Sequence, residues 1–139
     1  RLMESPGVTL RAEERHYLLI KAGNCIEHQS AQEALPWYRQ AYTLAKETEQ
    51  LHKVIESLDL MAIVNVSLGQ LDSAELQTRY GNHLNLIAPA DEGDSLQFRD
   101  VNLAIGGYLR LAKISLQRYR QGKPAQLENA VKNIQVALQ

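Results

Sequence analysis

The sequence predicts an all-α domain of about six helices arranged as antiparallel neighbours, and three observations carry that reading. Apolar residues recur at the 3.6-residue interval that lines one face of a helix, through most of the chain. The breaks between these stretches are few and short: Pro6-Gly7, Gln29-Ser30, Gly69, Pro89 to Gly93, and Gly122 to Pro124. No segment shows the alternation of a half-buried strand. The most strand-like run, Ile63-Val64-Asn65-Val66, sits inside a longer helical pattern and reads as buried helix.

The first helix is expected from Ala12 to His28, with Thr9 as its N-cap. Leu18, Ala22 and Cys25 line one face, and Leu19, Gly23 and Ile26 the adjacent one. On such a stripe Cys25 reads as a small buried hydrophobe. Ser30-Ala31-Gln32-Glu33 is a capping box that opens the second helix, whose core stripe is Ala34, Tyr38, Ala41 and Ala45. Pro36 fits if that helix effectively begins one or two residues late, because first-turn N–H groups have no intrahelical partner. The third helix runs from Leu51 to Leu68 with Leu51, Ile55, Leu58 and Ala62 in register, and Gly69 supplies the left-handed residue that ends it. Asp72-Ser73-Ala74-Glu75 repeats the capping-box pattern for a fourth helix to Ile87, stopped by Pro89. Asp94 or Ser95 caps a long fifth helix to Arg120, with Val101, Ala104, Tyr108, Ala112, Ser115 and Tyr119 as its stripe. A sixth helix follows Pro124 and carries Leu127, Ala130, Ile134, Ala137 and Leu138.

Composition sets the class of work. A chain of 139 residues, 45% hydrophobic and 22% charged, can bury one core without staples. There is no apolar run long enough to span a membrane. A single cysteine excludes an internal disulfide framework and fits a reducing, cytoplasmic location. A formal charge of −1 argues against direct nucleic-acid binding. That near-neutrality conceals a polarity: net −1 over residues 1–50, −5 over 51–100 and +5 over 101–139. The chain starts at Arg1 without a signal sequence and stops mid-stripe at Ala137-Leu138-Gln139. A longer parent chain is therefore expected, as is self-association through the sixth helix or its packing on a further segment.

No catalytic constellation is visible. His16, His28, His52 and His83 are scattered, and His52 with Glu56 at i, i+4 gives two metal ligands at most. There is no phosphate loop, GxSxG or CxxC. Gly106-Gly107 suits a close helix approach or a kink rather than a phosphate cradle. Trp37 is expected to pack against the first or third helix, with a partner-anchoring role as the alternative. Arg110, Lys113, Gln117 and Arg120 form a basic stripe interleaved with Leu109, Leu116 and Tyr119, a mixture that suits an acidic amphipathic peptide; a solvated face is the plainer reading. Arg118 and Lys123 lie at the helix end, where cations favour the macrodipole.

Self-comparison finds a repeat. Ala34 to Ala41 has the form Ala, three residues, aromatic, two residues, Ala, and Ala130 to Ala137 has the same form with Ile134 in the aromatic slot. Leu68-Gly69-Gln70-Leu71-Asp72-Ser73-Ala74 supplies a turn glycine and a helix-opening alanine. Together these resemble the tetratricopeptide repeat. Ala34, Ala74 and Ala130 are 40 and 56 residues apart, longer than the family's period of about 34. Thr78 and Gly81 replace the aromatic and alanine of the second repeat, and the first lacks the turn glycine, leaving Ala22 or Gly23 as its small position. An unrelated six-helix bundle with alanines at helix contacts is the alternative.

The resemblance implies an α-solenoid, with repeats at roughly 12–50, 51–89 and 95–139 stacked as a short right-handed superhelix. It implies a non-catalytic, cofactor-free scaffold that binds a protein or peptide in its concave groove. Carried over, the groove residues are Glu27, then Glu56, Asp59 and Ile63, then Tyr119 and Arg120, joined by Arg110 and Lys113 of the basic stripe. Asn24 matches one position of the carboxylate clamp that some members use, but Glu56 and Asp59 place acids where that clamp needs neutral or basic donors. The second function class is a regulatory domain that senses a small ligand or signalling peptide.

Overall fold

Residues 11–87, 97–123 and 126–138 are described by the computed structural model of the chain. They form α1 (Ala12–Glu27), α2 (Ala31–Glu47), α3 (Leu51–Ser67), α4 (Leu71–Asn85), β1 (Leu86–Ile87), β2 (Gln97–Phe98), α5 (Val101–Arg120) and α6 (Gln126–Ala137). The class is all-α, and successive helices pack pairwise, with α3 also touching α5 across α4. The expected cap at Thr9 and the readings at Pro89, Asp94 and Ser95 fall outside the described residues.

Local chemistry explains most boundaries. Ser30 Oγ accepts the Glu33 N–H at 3.3 Å, so Ser30 caps α2 as expected, but the Ser30 N–H donates to the Ile26 carbonyl and the reciprocal half of the capping box does not form. Ala34, Tyr38, Ala41 and Ala45 are all buried, as their spacing requires. The turns after α2, α3 and α5 share one geometry: a left-handed residue (Glu49, Gly69, Gly122) followed by an N–H that reaches back to Ala45, Asn65 or Arg118 carbonyl. Glu49, at φ 56°, is the non-glycine member, and a side chain there costs about 1 kcal/mol. Glu49→Gly is therefore expected to raise stability by about 0.5–1 kcal/mol, read as a higher Tm by calorimetry.

Several expectations are corrected. α2 begins at Ala31 and continues through Pro36, whose exposed position leaves the Gln32 carbonyl facing solvent. α1 buries His16, Leu19, Ile20 and Gly23, so its core face is the Leu19 side and Cys25 is exposed. α4 is capped by Gln70 without a side-chain bond, so Asp72 and Glu75 form no capping box. α5 begins later than expected: Asp100 is its N-cap, accepting the Leu103 N–H at 3.0 Å. On α5, Val101 and Tyr119 are exposed, and Gly107, Leu111 and Ile114 are buried instead. Leu86 pairs with Phe98 and Ile87 with Gln97 in extended backbone, where the end of the fourth helix and the start of the fifth were expected. On α6 only Ala130 is buried.

Two cores hold the stack. Leu19, Ile20, Leu35, Tyr38, Val54, Leu58 and Met61 join α1, α2 and α3, with Trp37 half-buried against them. Val66, Leu71, Ala74 and Ile114 join α3, α4 and α5. Close helix approach is visible at two glycines. A Cβ on Gly23 would stand 2.5 Å from Tyr38 Cε1, and one on Gly107 would run into Asn82 Oδ1. Gly23, rather than Ala22, is thus the small crossing residue of the first pair.

His16 ties α1 to α3. Ser57 Oγ donates to the Lys53 carbonyl at 2.8 Å, so its single proton is committed, and His16 Nε2–H donates to Ser57 Oγ at 3.0 Å. Burial, aided by the charge of Lys53, holds the His16 pKa below its ordinary 6.5. A lowered histidine pKa means the unfolded chain binds the proton more readily. This contribution to stability is complete above pH 6.5 and is lost as pH falls toward the folded-state value. The slope of stability against pH below 6.5 should be shallower in His16→Gln, checked by urea titrations at stepped pH.

Candidate functional site

Three polar contacts link the odd helices, and α3 also packs on α5. His16 joins α1 to α3, His52 Nε2 meets Asp100 Oδ2 at 3.0 Å, and Arg110 Nη2 donates to Asp59 Oδ1 at 2.7 Å. Each helix consequently turns one row to solvent on the same side, following from its 100° step per residue. From α1 come Tyr17 and Lys21, from α3 His52, Glu56 and Ile63, and from α5 Leu109, Lys113 and Arg120. Tyr17, Ile63 and Leu109 are 59%, 39% and 47% exposed, so the surface mixes apolar floor with charge. Lys21 Nζ lies 5.3 Å from the Tyr17 ring centroid, a cation–π pair at one edge.

The sequence-picked residues divide on this surface. Glu56, Ile63, Lys113 and Arg120 lie on the solvent-facing rows. Glu56 Oε2 is 3.9 Å from His52 Nδ1, and among the described residues no group of three or more His, Cys, Asp and Glu side chains is placed to hold a metal. Glu27 is half-buried and, with Asn24, accepts from the Tyr38 hydroxyl at 2.8 and 2.7 Å. Burial and the Glu27 carboxylate push the Tyr38 phenol well above its ordinary range. Tyr119 is exposed but a third of a turn round from Lys113, at the edge of the row.

Asp59 and Arg110 are the pair that the structure brings together, and they change the basic stripe. Arg110 turns inward rather than lying beside Lys113: its side chain is 10% exposed, that of Asp59 20%. Arg110 Nε donates to Thr78 Oγ1 at 2.8 Å, and Thr78 Oγ1 donates to the Ala74 carbonyl at 2.7 Å. Thr78 stands where Tyr38 stands in the first pair, and its smaller, polar side chain makes room for the guanidinium. Ile55, Gln77, Asn82 and Asn85 line a partly open cavity of about 10 Å³ at this contact, space for one water molecule.

Three polar groups along the α4–α5 pair escaped sequence reading. Arg118 is buried and donates to Asp72 Oδ1 at 2.6 Å and Glu75 Oε2 at 3.1 Å, although it reads as a solvated helix-end cation. Asn85 clasps the Asp100 backbone, donating to its carbonyl and accepting its N–H, both at 2.8 Å. Asp100 in turn caps α5, and its carboxyl is held below the usual range first by His52 and then by the Leu103 N–H. The sequence signal for Arg118 was the Asp72, Glu75 pair at i, i+3. Nothing local marks Asn85.

No helix among the described residues is long and apolar enough to cross a membrane. Comparison of the chain with protein-family models, with curated proteins and with solved structures found no match.

Proposed function

We propose that this chain is a non-catalytic scaffold module of the tetratricopeptide-repeat type, stacked as a short right-handed superhelix, that binds an amphipathic peptide across α1, α3 and α5. The single observation that supports this reading is the joined solvent-facing surface of those helices, with Tyr17, Ile63 and Leu109 exposed between charged side chains. Apolar contact supplies affinity, and Lys113 and Arg120 orient an acid-bearing partner. The 40-residue spacing of Ala34 and Ala74, each fully buried, supports the repeat. The partly open cavity beneath Asp59 and Arg110 has room for one water molecule and no organic ligand, so this reading does not place the partner there. A cytoplasmic location belongs to the same proposal.

The test is a comparative pull-down with the wild type, Ile63→Glu/Leu109→Glu, Lys113→Glu/Arg120→Glu, and Leu76→Glu on α4 as control, where Leu76 is 71% exposed. Quantitative mass spectrometry should show one set of proteins lost from both groove variants and kept by the control. An identical set on all four baits would overturn the assignment.

A further inference from the structure

Among the described residues, the richest exposed apolar row lies outside the proposed groove. On α6, Leu127, Val131, Ile134 and Leu138 follow i, i+4, i+7 and i+11 and are 42%, 48%, 37% and 81% exposed. The three buried alanines give a common register: Ala34, Ala74 and Ala130 are 0%, 0% and 1% exposed. Counted from them, the α6 row occupies the positions of Ala31, Leu35, Tyr38 and Tyr42 in α2, and of Leu71, Glu75, Thr78 and Asn82 in α4.

In both earlier helices the following odd helix covers that row. Leu35 and Tyr38 share a core with Val54, Leu58 and Met61 of α3. Thr78 holds Arg110, Glu75 holds Arg118, and Asn82 lies against Gly107 of α5. The α6 row is therefore shaped for a helix in the place that α3 takes on α2 and α5 takes on α4.

The chain carries such a helix face at its other end. In α3 the row turned back toward α1 and α2 includes Val54, Ser57, Met61 and Val64, all buried. Registered on the small buried residues Gly23 and Ala62, the α1 counterparts are Arg15, Leu18, Ala22 and Cys25. This row points away from His16 and hence away from α3. Leu18 and Ala22 are half-buried, and Arg15 and Cys25 are exposed. Its centre is small and apolar, as a helix seated on another helix pair requires.

We propose that a second copy of this chain seats its α1 on α6, head to tail, continuing the stacking that already joins α2 to α3 and α4 to α5. α6 opposes this with no net charge, since Glu128 and Lys132 beside the row cancel. The α6 row and the α1 row are different surfaces, so the contact is heterologous and grows open-ended chains with concentration. The register also names a contact. Leu35 of α2 and Val64 of α3 belong to one core, and their counterparts on α6 and α1 are Val131 and Cys25.

The test uses that neighbourhood. Val131→Cys, with native Cys25 present and copper–phenanthroline in air as oxidant, should give a ladder of dimers, trimers and higher species on a non-reducing gel. Mass spectrometry should map the links between Cys25 and the thiol introduced at position 131. By sedimentation, the wild type should gain average mass with concentration, while Leu18→Glu and Ile134→Glu should each hold at the 15.7 kDa of one chain. Circular dichroism confirms that both variants stay helical. A wild type that remains at 15.7 kDa into the millimolar range would overturn the proposal. So would disulfide dimers of Val131→Cys/Cys25→Ser, because these would place α6 against α6.

Discussion

Asp59→Ala is expected to lower the free energy of unfolding by about 2–4 kcal/mol, among the largest effects available in this chain. Removing the carboxylate leaves the Arg110 guanidinium, 10% exposed, with Thr78 Oγ1 as its remaining partner and no countercharge. The figure sits below the cost of breaking a fully buried pair because Asp59 is 20% exposed and water screens part of the interaction. Arg110→Ala should cost less: the abandoned Asp59 carboxylate is the more exposed partner and can turn to solvent. The informative variant is Asp59→Leu/Arg110→Met, which removes both charges and keeps the volume. It should recover most of the loss, because replacing such a pair with apolar side chains is often neutral or better. Urea unfolding of the wild type, both singles and the double closes the cycle. Lys113→Ala, one turn along the same helix and exposed, should stay within about 0.5 kcal/mol of the wild type. If Asp59→Ala and Lys113→Ala prove equal, the inward placement of Arg110 is wrong.

That pair also marks where the sequence stops being legible. Helical periodicity located all six helices because apolar residues recur along one side of each, and burial of Ala34, Tyr38, Ala41 and Ala45 follows directly from their spacing. Ser30 and Gly69 marked a helix start and stop because their roles are local: a side-chain oxygen near an N–H, and a backbone free to take φ 75°. What spacing cannot reveal is which neighbour a polar side chain will meet. Arg110 and Lys113 are equivalent on a helical stripe, yet one pairs with Asp59, 51 positions away, and the other faces solvent. Asp72 and Glu75 satisfy a capping-box pattern, but Gln70 holds the N-cap position and both acids lie inside α4, so they are left to receive Arg118. Cys25 was misplaced for a related reason. α1 has two apolar stripes side by side, and only the packing of Gly23 on Tyr38 selects between them. On the candidate groove the same rule holds: Glu56, Ile63, Lys113 and Arg120 needed only helix phase, whereas Glu27 and Asp59 depended on Tyr38 and Arg110.

Tyr38 is the second site of large effect, and its neighbour Gly23 turns it into a test of packing. Tyr38 is fully buried between α1 and α2, and Tyr38→Ala should cost about 3–5 kcal/mol for the lost burial and the cavity left behind. Tyr38→Phe keeps the ring and removes only the hydroxyl that serves Asn24 Oδ1 and Glu27 Oε1, a loss of about 1 kcal/mol because half-buried Glu27 can still reach water. Gly23→Ala behaves differently in the two backgrounds. In the wild type its methyl would meet Tyr38 Cε1 at 2.5 Å, and overpacking by about 1–3 kcal/mol outweighs or cancels the roughly 1 kcal/mol gained from replacing a helical glycine. In Tyr38→Ala the ring is gone, so the same methyl enters open space, keeps the propensity gain and fills part of the cavity. Gly23→Ala is therefore expected to be neutral or destabilising alone and stabilising, by about 1 kcal/mol, in the Tyr38→Ala protein. Denaturant midpoints of the four proteins give the coupling directly. A Gly23→Ala effect of the same sign and size in both would mean that α1 and α2 do not cross at this residue. The small-residue register shared by Gly23 and Ala62, on which the head-to-tail contact rests, would then lose its first member.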